Sequence, residues 1–465
     1  MAFNSTPEDI IKQNINGVLG THSSWSRLPL SFVSDVKNGF AFKSSLFNND
    51  GSGERLIRIR DVLPGDTKTY YSGAIPEGYW VQAGDIIVGM DGDFNLVWWR
   101  SKPALLNQRV CRLDIVSQNY DKRFFYRMFP GYLEAVNLNT SSTTVKHLSS
   151  KALNELLIPL PPLAEQKIIA DKLDTLLAQV ANTKARLERI PEILKRFRQS
   201  VLAAAVSGRL TANGETNDKN WPLTRLSDLC TTAFDGPFGS KLKSSDYTDE
   251  GVGVVRLENI KHLRFDQSKE TFISEEKYLT LIKNKLEKND LLFSSFVDEE
   301  IRACLFPFET LRFINKADCF CLRIDQEKAL PELVLYLLTS QYSYAQIKEH
   351  VQGVTRPRVN LKILKSLEFL IPPKDEQTEI VRNVDQLFAH ADRIEQQVNQ
   401  ALARVNNLTQ SILAKAFRGE LTEQWRKDHP ELISGENSAE TLLERIKAER
   451  AAKAPAKRSR KKATA

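Results

Sequence analysis

The sequence predicts an α+β protein in which two globular mixed α/β domains are held apart by a long antiparallel two-helix coiled coil with pseudo-two-fold symmetry. Three observations predict this fold class. Residues 161–211 align without a gap on residues 372–422, and sixteen of the 51 aligned positions are identical. Each copy has the apolar pattern of a coiled-coil helix, and each follows a globular stretch that resembles its counterpart. Using one long unit twice is typical of a chain built around a pseudo-two-fold axis.

The two globular stretches, which we call the first and the second head, share one order of features. The first head begins near Trp25 and the second near Trp221. Both contain short apolar runs broken by Gly, Asn and Asp, a pattern that predicts short strands mixed with helices. Each head has a strand followed by arginine, a second apolar strand and a polar loop before a Pro-Pro dipeptide. These features are 55–62, 84–90 and 139–148 in the first head, and 254–260, 289–295 and 352–361 in the second.

The repeated segments carry an a/d heptad seam, because their apolar residues recur in alternating steps of four and three. The seam residues are Ile169, Leu173, Leu176, Val180, Thr183, Leu187, Ile190, Leu194, Phe197 and Val201 in the first copy, and Ile380, Val384, Leu387, Ala391, Ile394, Val398, Ala401, Val405, Leu408 and Ile412 in the second. Helices of ~45 residues extend about 65 Å. This length favours two mutually packed helices over two ordinary amphipathic helices on separate cores. Pro191 predicts a kink or local break in the first helix.

The direction of the two helices follows from connectivity. Each head leads directly into its own helix, so a two-fold arrangement makes the helices antiparallel and places the heads at opposite ends. We therefore divide the chain into an N-terminal segment (1–24), the first head (25–157), the first long helix (158–211), the second head (212–368), the second long helix (369–422) and a C-terminal part (423–465).

The C-terminal part is predicted to contain a short amphipathic helix. Ser438 is expected to cap it, and its apolar residues are Leu442, Leu443 and Ile446. We expect this helix to dock on residues 8–19 or on a partner subunit.

The composition predicts a soluble globular protein, and we expect it to be located in the cytoplasm because no membrane span or signal peptide is recognisable. The apolar fraction is 42% and the charged fraction is 26%. No apolar run approaches the ~20 residues of a membrane span, and the start lacks the basic and apolar regions of a signal peptide. The five scattered cysteines favour buried or free thiols over a disulfide framework or a zinc site. Cys319 and Cys321 are expected to lie along one strand.

The net charge of +7 is concentrated at the C-terminus. Residues 453–465 carry six Lys or Arg and no acid, which leaves +1 for residues 1–452. This tail is predicted to be disordered, and the sequence leaves open whether it is only solvated or makes weak contacts with phosphates. If the body binds nucleic acid, local basic patches or a basic partner must supply the contacts.

No catalytic constellation is recognisable in the sequence. A GxxxxGK[ST] loop is absent, which argues against ATP hydrolysis, and so is a GxGxxG after a strand. The Pro-Pro dipeptides lack the preceding Asp or Asn of the adenine-methylation motif. Residues 90–95 imitate the start of a calcium loop, but Leu96 stands where the turn glycine belongs. We therefore predict no catalytic and no metal-binding residue. His147, in a polar loop, is the one histidine considered for a contact role.

Residues 157–180, 196–211 and 406–426, together with the duplicated layout, resemble the specificity subunit of type I restriction–modification systems in its enterobacterial form. The similarity covers nearly the whole chain. The resemblance implies that the heads are target-recognition domains, each reading one half of a bipartite, gapped site in double-stranded DNA. It also implies that the long helices are spacers that fix the gap.

The resemblance further implies a non-catalytic chain with no cofactor of its own. Two methylation (M) subunits would bind around it, carry S-adenosylmethionine and methylate adenine. Two restriction (R) subunits would bind ATP and Mg and perform translocation and cleavage.

Base edges are read by polar side chains on elements that enter a groove, whereas phosphate contacts only position the protein. The candidate DNA-binding residues are Lys43, Arg58, Arg60, Asp93, Asn95, Thr144, Lys146 and His147 in the first head, and Lys241, Lys243, Arg256, Arg302, Thr355, Arg356, Arg358 and Asn360 in the second. Arg356 and Arg358 form the densest cluster and are the strongest candidates. Two other classes stay open, namely an adaptor whose heads bind proteins and an enzyme of unrecognised type.

Overall fold

The computed structural model describes residues 6–140, 145–211, 221–298, 300–350 and 357–453. The chain divides into two compact units. One contains Met1–Arg186 and Leu402–Ala465, and the other contains Leu187–Ala401. Each head therefore lies in a different unit, together with parts of both long helices.

Short strands, one longer helix and one short helix make up the first head. Its strands are β1 (Ser26–Pro29), β2 (Ser34–Asn38), β3 (Phe47–Asn48), β4 (Glu54–Ile57), β5 (Tyr70–Tyr71), β6 (Trp80–Val81), β7 (Ile86–Gly89), β8 (Leu96–Trp98), β9 (Ala104–Leu106), β10 (Val110–Ile115) and β11 (Leu157–Leu160). The helices up to residue 206 are α1 (Pro7–Gln13), α2 (Lys122–Leu138), α3 (Ser150–Glu155), α4 (Leu163–Leu187) and α5 (Ile190–Val206).

The rest of the chain has a similar but not identical order of elements. Its strands are β12 (Leu223–Arg225), β13 (Cys230–Phe234), β14 (Tyr247–Thr248), β15 (Val252–Val255), β16 (Phe272–Ile273), β17 (Leu291–Ser294), β18 (Ala303–Leu305), β19 (Phe313–Asn315), β20 (Cys319–Ile324) and β21 (Glu368–Leu370). Its helices are α6 (Glu275–Thr280), α7 (Pro331–Thr339), α8 (Gln341–Lys348), α9 (Leu361–Lys365), α10 (Lys374–Phe417), α11 (Glu423–Asp428) and α12 (Ala439–Lys453).

The two heads have matching sheets. The order β2-β10-β7-β8 in the first head corresponds to β13-β20-β17-β18 in the second. A second sheet, β3-β5-β4-β9-β6, corresponds to β14-β16-β15-β19, and in both the pair β4–β9 or β15–β19 is parallel. The pairs β1–β11 and β12–β21 join the start of each head to its end. The sequence relationship between the heads is therefore matched strand by strand except at β6, whose place in the chain order is taken by the helix α6 in the second head.

Apolar sequence explains the central strands. Ile86, Ile87 and Val88 of β7 are fully buried, as expected for a short continuous apolar run between two neighbouring strands. Glycine allows two close backbone contacts at equivalent places. A Cβ atom on Gly39 would lie 2.0 Å from a backbone atom of Asn107, and one on Gly236 would lie 2.1 Å from the backbone of Lys316.

The five cysteines are free thiols, and Cys319 and Cys321 both lie on β20, as predicted. Burial raises the pKa of Cys111 and of Cys304 to about 12. These thiols therefore remain protonated at neutral pH and behave as small apolar side chains.

The first long helix is interrupted, as Pro191 predicted. α4 ends at Leu187, a two-residue turn follows, and α5 begins at Ile190 with the proline in its first turn. Proline is favoured there because the amide hydrogen that it lacks would have no partner within the helix. The second long helix, α10, runs for 44 residues without interruption.

Burial follows most of the predicted heptad seam. Ile169, Leu173 and Leu194 are buried on the first helix, as are Val384 and Val398 on the second. The prediction is wrong at two seam positions, because Thr183 and Leu408 are exposed. Near these two residues, less of each long helix is buried than the heptad pattern predicts.

A glutamine fixes the start of each long helix to its own head. The side-chain oxygen of Gln166 accepts a hydrogen bond from the backbone N–H of Asp121 (2.7 Å), and its amide donates to the carbonyl of Pro161 (2.8 Å). Gln377 accepts from the N–H of Leu330 (2.8 Å) and donates to the first proline of its own Pro-Pro pair (2.9 Å). Both glutamines are fully buried. We call this arrangement the glutamine clamp.

Within the first unit, a buried carboxylate links the start of the first repeated segment to the end of the second. Glu165 is fully buried and accepts hydrogen bonds from the indole N–H of Trp25 (2.9 Å) and the hydroxyl of Thr422 (2.6 Å). Its third partner is the guanidinium of Arg426 at 2.5 Å. A buried charge of this kind is tolerated because it is both paired and hydrogen-bonded.

The C-terminal helix α12 docks on the first head. The hydroxyl of Ser438 caps its first turn, as predicted. Glu449 accepts a hydrogen bond from Ser117 (2.7 Å), and Arg450 pairs with Asp35 (2.6 Å). The predicted choice between residues 8–19 and a partner subunit was therefore incomplete, because these polar contacts are made with β2 and with the segment that follows β10 in the first head.

Within the described residues, no helix is both long and apolar enough to cross a membrane.

Candidate nucleic-acid interface

Both heads present polar side chains from one matched backbone arrangement. It lies where β7 or β17 ends, next to the start of β10 or β20 and to the segment before α3 or α9. We call it the strand-end frame; it comprises residues 90–92, 109 and 146–148 in the first head, and 295–297, 318 and 357–359 in the second. Its hydrogen bonds run from Met90 N to Arg109 O (2.9 Å), Gly92 N to Lys146 O (3.0 Å) and Leu148 N to Met90 O (2.7 Å), and from Ser295 N to Asp318 O (2.9 Å), Val297 N to Pro357 O (3.1 Å) and Val359 N to Ser295 O (2.9 Å).

In the first head, the frame brings together one acid and two basic side chains. Asp91 Oδ1 lies 2.6 Å from Nδ1 of His147, and its other oxygen lies 3.5 Å from the guanidinium of Arg109. The side chain of Asp91 is 20% exposed, against 44% for His147 and 58% for Arg109. The half-buried carboxylate therefore orients two more exposed groups, an imidazole and a guanidinium, that can form further hydrogen bonds.

In the second head, the corresponding positions hold a different set. The guanidinium of Arg358 lies over the ring of Phe296, 4.3 Å from its centroid, and 3.6 Å from Asp318. The hydroxyl of Ser295 donates to the same carboxylate of Asp318 (3.0 Å). An arginine held by an aromatic face and an acid keeps a fixed orientation while its remaining N–H groups stay available.

A further acid supports the second frame from beneath. Asp235 Oδ1 accepts hydrogen bonds from the backbone N–H groups of Asp318 (3.0 Å) and Gly236 (2.7 Å). Burial raises the pKa of Asp235 above its usual value, and the two backbone donors oppose this shift. Asp235 therefore helps to fix the turn that carries Asp318.

Lys43 and Lys243 occupy equivalent positions, each preceding a short 3₁₀ turn, and both are exposed. Arg58 and Arg256 are also equivalent, because each follows a strand of the second sheet and precedes a 3₁₀ turn. Arg58 lies over an aromatic ring at 6.0 Å, whereas Arg256 pairs with Glu258 at 3.3 Å. Four of the predicted residues thus form two sets of equivalent positions, with one residue of each set in each head.

Several other candidates have partners within the protein. The amine of Lys146 donates to the carbonyl of Asn137 (2.7 Å), and the side-chain oxygen of Asn360 caps α9 by accepting from the N–H of Ile363 (2.9 Å). Arg60 donates to Thr69 at 3.3 Å. These three side chains have structural contacts that the sequence did not predict.

The remaining candidates are not gathered into one cluster. Asp93 and Asn95 line a surface cavity beside the C-terminal half of α2. Lys241 is exposed, and Arg302 is half-buried at the start of β18. Thr144, Thr355 and Arg356 lie outside the described residues.

Sequence reasoning missed four side chains of the strand-end frame, namely Asp91, Arg109, Phe296 and Asp318, as DNA-contact candidates. Asp91 was considered only as part of a calcium-like motif. The signal was present in the alignment of 84–90 with 289–295, because one further residue places Asp91 opposite Phe296. Arg109 and Asp318 carry no such signal, because their common feature is a left-handed backbone with φ of 72° and 69°.

Among the described residues, no group of three or more His, Cys, Asp or Glu side chains is arranged to hold a metal ion.

The chain is similar to proteins of one family along nearly its whole length. The family model described as Type I restriction modification DNA specificity domain matches residues 23–192 and 218–404. The specificity subunit of the type I restriction enzyme EcoBI from Escherichia coli is 51% identical, and the match covers 99% of this chain and 100% of that relative. The StySPI specificity subunit from Salmonella potsdam is 36% identical over 94% of this chain and 98% of its own length.

The fold is also similar to that of a solved structure. A chain from work on complex assembly and conformational transition of the type I R-M system has a TM-score of 0.62 at 17% identity, covering 86% of this chain and 99% of that chain. The family model matches more than half of this chain, and both relatives are aligned over most of their length. The chain therefore belongs to the family of type I restriction–modification specificity subunits.

Proposed function

We propose that this chain reads DNA for a type I restriction–modification complex, with each head recognising one half of a bipartite, gapped site. One observation carries the proposal. Two heads of the same topology present different side chains from the same strand-end frame, and each continues into a long helix through the same glutamine clamp. A duplicated scaffold with divergent polar side chains suits recognition of two different half-sites.

We propose that the two long helices pair as an antiparallel coiled coil that sets the gap. Contacts within each unit support this direction. In the second unit, Arg198 pairs with Asp392 and Glu395 (2.6 and 2.7 Å), while the carbonyl of Leu210 accepts from Asn383 (2.6 Å). Residue numbers thus rise on one helix as they fall on the other.

The first unit has contacts of the same sense. The amine of Lys172 donates to the carbonyl of Leu421 (2.7 Å), and Glu165 contacts Thr422 and Arg426. These contacts join the beginning of the first long helix to the end of the second repeated segment.

The proposed partners are double-stranded DNA, two M subunits and two R subunits, acting in the cytoplasm. In this proposal the chain is not catalytic. S-adenosylmethionine, ATP and Mg belong to the partner subunits. Because residues 1–452 carry a net charge of only +1, the partners would supply much of the phosphate contact.

Heptad insertion tests the gap-setting role. One heptad inserted after the exposed Thr183 and one after the exposed Leu408 would lengthen the rod by about 10 Å, or roughly three base pairs, without changing the seam phase. Mapping methylated adenines in cells that express the complete complex should show a longer gap between unchanged half-sites. Changed half-sites with an unchanged gap would contradict this role.

A protein-binding adaptor predicts a different result for the complex. Titration against DNA at several salt concentrations would then show no preference for any sequence, and genome-wide mapping would reveal no bipartite methylated motif. Either finding would overturn the proposed function itself.

A further inference from the structure

The strand-end frames differ in side chain but not in backbone. Each frame has three backbone hydrogen bonds, and the three of one frame correspond one to one to the three of the other. Each frame also contains an isolated antiparallel bridge, Asp91–His147 or Phe296–Arg358. The three frame positions are therefore 91, 109 and 147 in the first head, and 296, 318 and 358 in the second. Whatever lies against one frame meets side chains at the same backbone positions as it would on the other.

Backbone conformation makes the middle position unusual. Arg109 and Asp318 have φ values of 72° and 69°, in the left-handed region that glycine adopts without strain. Asp tolerates this region, but it is unfavourable for arginine. A strained residue that is held in place by its surroundings is a recognised mark of a functional site.

The charges are redistributed between the frames. In the first head the acid stands at position 91, and bases stand at 109 and 147. In the second head the acid stands at 318, a base stands at 358, and an aromatic ring replaces the acid of the first head at 296. Each frame thus keeps an acid that orients a base, while the geometry of the donors changes.

We propose that these three positions determine which base pair each head reads at one place in its half-site. The proposal rests on the proposed function and extends it to named residues. In the second head, Arg358 presents the fork of N–H donors that matches O6 and N7 of guanine in the major groove. Asp318 and Phe296 are positioning residues, because they act through Arg358.

In the first head, Asp91 is the positioning residue and binds Nδ1 of His147. This leaves Nε2 of His147 and the guanidinium of Arg109 to face the DNA, and among the described residues Nε2 has no hydrogen-bond partner. The two heads therefore read different bases from one framework.

Arginine-to-lysine substitution separates base reading from phosphate contact, because lysine keeps the charge but loses the fork. In the complete complex, Arg358→Lys should reduce methylation of the cognate site by about tenfold or more and make one position of one half-site degenerate. The other half-site and the gap should not change. Arg225→Lys is the matched control; Arg225 pairs with Glu368 on β12 and β21, away from the frame, and should leave the motif intact.

Two further variants keep the test decisive if Arg358→Lys assembles poorly. Asp318→Asn should make the same position degenerate with a smaller loss, and His147→Ala should relax one position of the other half-site. Mapping methylated adenines reads out all variants. An unchanged motif in Arg358→Lys and Asp318→Asn, or equal loss of binding to specific and random DNA, would overturn the inference. Failure of the proposed function would differ, because the wild-type complex would then give no bipartite motif.

Discussion

At the residue scale, Glu165 contacts residues that lie far from it along the chain in both directions. Its carboxylate contacts Trp25 from the first head, and Thr422 and Arg426 from beyond the second long helix. Glu165 is fully buried and the side chain of Arg426 is only 10% exposed, so water screens their interaction little. Removing one partner of such a pair leaves the other charge buried and uncompensated.

We therefore expect Glu165→Gln to destabilise the first unit by about 3–5 kcal/mol. Thermal unfolding should start at a lower temperature, and hydrogen exchange should accelerate in the first turns of α4. The matched control is Glu192→Gln, which removes an exposed pair with Arg196 and should leave stability nearly unchanged. Equal effects of the two substitutions would show that the buried pair contributes nothing special.

Residue identity was only partly readable from the sequence. Arg358 and His147 were predicted because arginine or histidine in a polar loop is a common contact group, and both lie in the strand-end frame. Arg109 was missed because its place in the strand-end frame depends on a left-handed backbone, which the sequence does not indicate at an arginine. Asn360 and Lys146 illustrate the opposite case, since the same polar groups serve a helix cap and a carbonyl of the protein.

At the element scale, the glutamine clamps explain why each long helix begins where it does. Pro-Pro ends the preceding strand, and the glutamine five residues after the first proline then ties the new helix to the N-terminus of α2 or α7. The existence of the helices, the break at Pro191 and most of the seam were predictable from local pattern. The clamps were not, because the partners of Gln166 and Gln377 lie 45 and 47 residues away along the chain.

The clamp gives a prediction for Gln377→Ala. The N–H of Leu330 and two carbonyls would lose a partner in a buried place, which should cost about 1–3 kcal/mol. Urea denaturation of the full chain, followed by hydrogen exchange at the start of α7, measures the loss. The control Gln397→Ala, at an exposed position of α10, should be neutral. A neutral Gln377→Ala would mean that the clamp is dispensable.

At the scale of the whole molecule, duplication of the scaffold was the strongest message of the sequence. The fixed offset of the repeats identified two related parts, and the sheets of the two heads match in strand order. Sheet pairing itself was not predictable, because strands such as β4 and β9 are parallel neighbours although several other strands separate them in the chain. The exposed Thr183 and Leu408 show that a heptad pattern can also predict burial at positions that are not buried.

The uneven charge of the chain leads to a prediction for the tail, whose residues 454–465 lie outside the described residues. Deleting residues 453–465 lowers the net charge from +7 to +1. We expect the truncated complex to methylate the same sequence but to bind random DNA with a shallower dependence on salt, because fewer counterions are released. Binding titrations at several salt concentrations measure the slope. A changed methylation motif would show that the tail reads bases.

The partners of the glutamine clamp are backbone atoms, and this has a consequence for how such chains can diversify. Every residue has a main-chain carbonyl, and every residue except proline has a main-chain N–H. The clamp therefore requires little of the head sequence beyond a residue other than proline at the donor position. If another head were joined at the Pro-Pro dipeptide, the glutamine could form the same hydrogen bonds with its backbone. The two heads of this chain illustrate this freedom, because they differ in side chain at the strand-end frame and yet share the same attachment to their long helices.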